Sequence, residues 1–204
     1  MLNNVSIGLF IDGGYFDKVY HEANNQGYTL YLSKLMKFCV QYLSTHYGIN
    51  MEDCHMTEKH YYRGRYRVEE AIANNVLERE RRFEDGLIEH DVVFHYKHLQ
   101  NIVNEFGYEI EREKGIDVWF ALDAYQLSIA RNLDIVVLFT GDGDHEMLLH
   151  KIKMLKKKAV LLTWHLNAYT SVSKRLIDEA SIHIDLKKLL IEHREYLPFF
   201  LKNN

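Results

Sequence analysis

A chain of 204 residues that is 47% apolar, 13% aromatic and 26% charged, with a single proline, excludes a disordered, collagen-like or linker-rich protein and can bury a core without a disulfide or metal staple. A formal net charge of −4 excludes a globally basic binder of nucleic acid, so any site for a polyanion has to be local. Two isolated cysteines, Cys39 and Cys54, exclude a zinc ribbon, a paired redox motif and a disulfide scaffold, and fit a reducing compartment.

Residues 5–11 are almost entirely apolar, as a central strand covered on both faces must be. The segment has no basic leader, and nowhere do about 18 apolar residues run uninterrupted, so a cytoplasmic protein without a membrane span is expected. Leu32, Leu35, Met36, Cys39 and Leu43 then recur at helical spacing as one apolar stripe. Residues 60–63 and 108–112 are more polar and read as edge strands. From within the first of these, Tyr61, Tyr62, Arg63, Gly64, Arg65, Tyr66 and Arg67 interleave rings with cations, as stacking and phosphate contact with a single nucleic-acid strand require. The same stretch, followed by Glu69, Glu70, Glu78 and Glu80 among Arg79, Arg81 and Arg82, equally reads as a solvated surface of ion pairs.

Val118, Leu122, Tyr125 and Ile129 mark a second helix, whose stripe is expected to face the core. Residues 135–139, 159–164 and 182–184 are further apolar runs. A helix with Leu148, Ile152 and Leu155 on its inner face and Lys151, Lys153, Lys156 and Lys157 largely off it follows the first of them. A C-terminal helix over about 185–201, with Leu186, Leu189, Leu190 and Leu197, is expected to pack on the core, a homodimer contact being the alternative. Strand, helix and strand in alternation predict an α/β protein: a three-layer α/β/α sandwich with a mostly parallel central sheet, one domain over 1–204.

In such a sheet, ligands bind beyond the carboxyl ends of the strands. Asp12 follows the first run, Asp117 opens a helix after Lys114, Gly115 and Ile116, and Thr140, Gly141, Asp142, Gly143 and Asp144 follow the run at 135–139. One such aspartate is an ordinary helix cap. Four converging carboxylates repel one another and call for a compensating cation. Mg²⁺ or Mn²⁺ suits them, being hard ions that take carboxylate oxygen, and the chain has no cysteine or paired-histidine spacing for zinc.

The segments FIDGGYF, KGIDVWFALDA, LFTGDGDHEMLLHKIK and SVSKRLIDEASIHIDL, in this order over about residues 5–186, resemble the motifs of the NYN domains of the PIN-like nuclease superfamily, in particular the bacterial LabA-like group. The resemblance implies a metal-dependent ribonuclease in which Asp12, Asp117, Asp142 and Asp144 are the catalytic metal ligands. Asp123 matches a further acidic position, but lies about 240° round the helix from Asp117 and is secondary. Lys114 and Thr140 are implied as substrate contacts, Thr140 keeping the hydroxyl of the usual serine. Tyr15 stands where many members have asparagine, His145 replaces a common phenylalanine, and lysine of the run 156–158 replaces a glycine. A non-catalytic RNA-binding or scaffolding module of the same fold is the alternative. A dehalogenase-type phosphatase lacks its second aspartate after Asp12, and a thiamine-diphosphate fingerprint fails at Ala168.

Overall fold

The computed structural model describes residues 4–103 and 106–202. Its strands in chain order are β1 (Val5–Asp12), β2 (Cys54–Arg65), β3 (Val93–His98), β4 (Gln100–Val103), β5 (Glu109–Arg112), β6 (Ile135–Phe139), β7 (Lys158–Thr163) and β8 (Ile182–Asp185). The helices are α1 (Gly13–Asn25), α2 (Leu32–Tyr47), α3 (Val68–Ala73), α4 (Leu77–Glu89), α5 (Ile116–Ala130), α6 (Glu146–Met154), α7 (Lys174–Glu179) and α8 (Leu186–Glu192). Six strands form one sheet in the order β3-β2-β1-β6-β7-β8, and each neighbouring pair is parallel.

Side chains alternate across a strand, so β1 and β6 feed two cores. Ile7, Leu9 and Ile11 with Ile135, Val137 and Phe139 face α1, α2, α4 and α8. Phe10 with Val136 and Leu138 faces α5, α6 and α7. This double cover is why both strands are apolar at nearly every position, and it gives the expected three layers. In α2 the stripe Leu32, Leu35, Cys39 and Leu43 is buried, and Gly48 ends the helix in the left-handed region (φ 62°).

Three expectations about β2, β5 and α5 are corrected. Residues 60–63 lie in β2, an interior strand between β1 and β3, with Tyr61 and Tyr62 fully buried. Its polar look arises because its charged side chains pair with acids of the covering helices. Residues 109–112 form β5, which among the described residues pairs with β4 alone, in a separate antiparallel hairpin outside the main sheet. In α5 the predicted stripe is turned outward: Val118, Leu122 and Ile129 are 62%, 62% and 52% exposed, while Ile116, Phe120, Ala124 and Ser128 are buried. The helix is apolar almost all round, and the sheet takes the side whose small Ala124 and Ser128 allow close approach.

The C-terminal segment packs on the core but is two pieces, α8 and a short 3-10 turn (Arg194–Phe199) that contains Pro198. Phe38 meets Tyr196 and Phe200 at ring separations of 5.4 and 5.2 Å, and Phe200 also lies 5.3 Å from Trp164. Among the described residues no helix is long and apolar enough to cross a membrane.

Candidate active site

From β1 the sheet grows towards β2 and β3, from β6 towards β7 and β8, so the crevice beyond the ends of β1 and β6 is the topological switch point. Asp12 ends β1 and caps α1, its Oδ1 accepting the Tyr15 N–H at 3.1 Å. Its Oδ2 accepts the Thr140 hydroxyl at 2.9 Å, and the Thr140 oxygen in turn accepts the Asp142 N–H at 3.2 Å. One hydroxyl therefore joins the carboxylate of one strand end to the backbone of the next. Thr140 is fully buried, so this hydroxyl positions Asp12 from inside the protein. Asp142 caps the next turn, accepting the Asp144 N–H at 3.0 Å.

Asp117 enters from the first turn of α5, where Gly115 reverses the chain in the left-handed region (φ 74°). Glu113, just ahead of it, accepts the Gly64 N–H at 2.7 Å from the end of β2. A Cβ on Gly64 would stand 2.5 Å from the Glu113 side chain, so the glycine admits that carboxylate. Asp12, Glu113, Asp117 and Asp142 line one cavity of about 300 Å³, together with Gly14, Lys18, Tyr169 and Ser171. Partial burial and the charge of Asp12, then Asp142 and Asp144, push the Asp117 carboxyl above its ordinary range against the opposing pull of His145. Burial raises that of Glu113 too, opposed by the Gly64 amide and reinforced by Asp12.

The donor set is all carboxylate oxygen, which fits a hard divalent cation and not a thiophilic one. Among the described residues no group of three or more His, Cys, Asp or Glu side chains is already drawn into ligand geometry. The cavity has room for an ion that keeps several waters, as Mg²⁺ does.

Of the other residues singled out in the sequence, Asp144 is exposed and does not line the cavity. Lys114 lines a neighbouring cavity of about 390 Å³ under the β4–β5 hairpin, which shares Glu113 and Asp117 with the first. Asp123 faces elsewhere, as the helix geometry requires: it accepts the Tyr62 hydroxyl at 3.0 Å and lies 3.7 Å from His95. Arg63 pairs with Asp17 at 2.8 Å, Arg65 pairs with Glu84 at 3.0 Å and covers the Tyr96 ring, and Arg67 is exposed at the start of α3.

The departures from the family motifs have structural accounts. The Tyr15 hydroxyl donates to the Thr170 carbonyl and accepts the Trp164 N–H at 3.2 Å, and burial holds its pKa high. His145 packs on Phe120 at 4.6 Å, keeping a ring in place of a ring. Lys156 adopts the left-handed conformation itself (φ 61°), the geometry glycine supplies without strain. Glu113, Lys18 and Tyr169 are members of the cavity that sequence reasoning missed. For Lys18 a signal existed, its i+4 spacing from Gly14 on α1.

The family model for NYN domains matches residues 6–189. No curated protein matches the chain. A crystal structure of a protein of unknown function from Vibrio parahaemolyticus is similar in fold, with a TM-score of 0.55 at 18% identity over 91% of this chain and 95% of that one.

Proposed function

The chain belongs to the NYN domain family of the PIN-like nuclease superfamily, and from that premise we propose that it is a divalent-cation-dependent ribonuclease of the LabA-like kind acting on single-stranded RNA. The observation that carries the reading is the Asp12–Thr140–Asp142 linkage facing Asp117 and Glu113 across one cavity at the switch point.

Asp12, Asp117 and Asp142 would hold Mg²⁺ or Mn²⁺, with Asp144 and Glu113 as outer carboxylates. When bound, the cation supplies charge neutralisation for these acids and the scissile phosphate, and acidifies water at the site. Thr140 and the Tyr15 amide fix the two oxygens of Asp12, so the carboxylate is oriented before substrate arrives. Lys18 beside the acids, and Lys114 with Arg112 under the hairpin, supply cations for the flanking phosphates. The exposed ring of Tyr169 offers a stacking surface at the rim. Tyr15 touches Asp12 through its backbone N–H, which an asparagine would equally provide, so the family departure leaves this part of the site intact.

The test is degradation of single-stranded and structured RNA with Mg²⁺, Mn²⁺ or excess EDTA, with Asp142→Asn as control. Cleavage that needs the divalent ion and falls by at least about 100-fold in the variant is expected. Turnover in EDTA, or undiminished in the variant, would refute it, and binding without cleavage would identify a binding module.

A further inference from the structure

Beside the acidic cavity, on the neighbouring flank of α1, lies a second cavity of about 260 Å³. Gly14 and Lys18 line the first, Asp17 and His21 the second, each pair one turn apart and one residue out of phase. Arg63, the residue before Gly64, closes the second cavity from the end of β2. The volume falls just short of the range of about 300–1,000 Å³ usual for whole small molecules, a size for one flat ring system.

Its walls have three kinds of chemistry. Phe16 and Tyr20 lie nearly parallel (15°, centroids 6.4 Å apart), Phe83 closes against Phe16 at 6.1 Å, and Tyr20 is 38% exposed. Arg79 and Arg82 on α4, with His21, are exposed around it. Asp17 and Glu80 are acceptors in the wall. The Asp17 side chain is 30% exposed beside its pair with Arg63, whereas Glu80 is 7% exposed, its Oε2 enclosed and 3.7 Å from the Arg65 Nε. Rings to stack on, cations for a backbone and a partly exposed carboxylate are the complement of one unstacked nucleotide.

We infer that this cavity receives one base of the RNA strand, a base bearing an exocyclic amino group, while a neighbouring phosphodiester lies at the acids. The inference rests on the proposed ribonuclease reading and deepens it: the strand crosses the end of α1, its base stacks on Tyr20, its amino group meets the carboxylate wall, and Arg79 and Arg82 meet phosphates. Arg63, held by Asp17, is then a wall of the base site.

The test measures affinity in the Asp142→Asn background, which keeps the RNA intact, using a short fluorescent single-stranded oligoadenylate. One adenosine at a time is replaced by an abasic residue or by purine riboside, which stacks alike but has no amino group. One position is expected to lose about 5- to 150-fold on abasic replacement, the range that stacking of about 1–3 kcal/mol gives, and to lose affinity with purine riboside. Tyr20→Ala should show the same loss with the intact strand and no further loss at that abasic position, while Tyr20→Phe restores binding. Equal affinity of adenosine and purine riboside at every position would overturn the amino-group recognition. Equal affinity of the abasic series, or of Tyr20→Ala, would overturn the base site. Divalent-dependent cleavage by the native chain that survives those results leaves the nuclease reading standing. Tyr20-dependent binding with no cleavage overturns the nuclease reading and leaves the base site. Absence of RNA binding overturns both.

Discussion

Asp117 stands among like charges, and its carboxyl is held above the ordinary 3.8 by partial burial and by Asp12. The folded state therefore binds this proton more tightly than the unfolded chain does. Cation-free stability falls as pH rises from 3.8 through the raised value, and stays at that lower level above it. Asp117→Asn should raise the melting temperature of the cation-free protein at neutral pH and flatten this dependence. Mg²⁺ or Mn²⁺ should raise that of the native chain by several degrees, about 2.7 kcal/mol at a hundredfold excess over Kd, with the gain shrinking as the acids protonate. Calorimetry at two pH values, with and without EDTA, checks both. Glu113→Gln keeps an oxygen for the Gly64 N–H and should fold normally while losing about 10- to 100-fold in cleavage, read from initial rates. Asp12, Asp117 and Asp142 could be found in the sequence because each follows a strand or opens a helix. Glu113 could not, because in the run of residues 111–114 it looks like one more solvated charge. Arg63 and Arg65 were ambiguous for the opposite reason, since their acid partners, Asp17 and Glu84, are distant in sequence.

At the scale of elements, the strand and helix alternation carried the three layers, and the errors have one physical source. Periodicity reports that a face is apolar, not which apolar face is covered. In α5 two stripes compete, and only the packing of Phe120 and Ala124 against the sheet decides between them. Leu122→Glu and Val118→Lys should change unfolding free energy by no more than about 0.5 kcal/mol, whereas Phe120→Ala should cost about 3–5 kcal/mol, measured by urea titration. An equal loss from both kinds of change would return the outward stripe to the core. β2 misled for a related reason: its inner residues include Tyr61 and Tyr62, whose hydroxyls read as polar while their rings are wholly buried.

Across the whole molecule, the C-terminal turn closes the core that α2 opens, with Phe200 seated on Phe38 and Trp164 and its carbonyl accepting the Thr29 N–H at 2.8 Å. Phe200→Ala should cost about 3–5 kcal/mol in chemical denaturation even though it is remote in sequence from every acid of the cavity. The hydrogen bond from Thr140 to Asp12 spans 128 positions of sequence. At about 5–20 residues per second, a ribosome makes Asp12 some 6–25 seconds before Thr140 and Asp142. During that interval the nascent chain acquires Glu113 and then Asp117 but lacks the hydroxyl that orients the first carboxylate, so assembly of this rim waits for β6 and the turn after it to leave the ribosome.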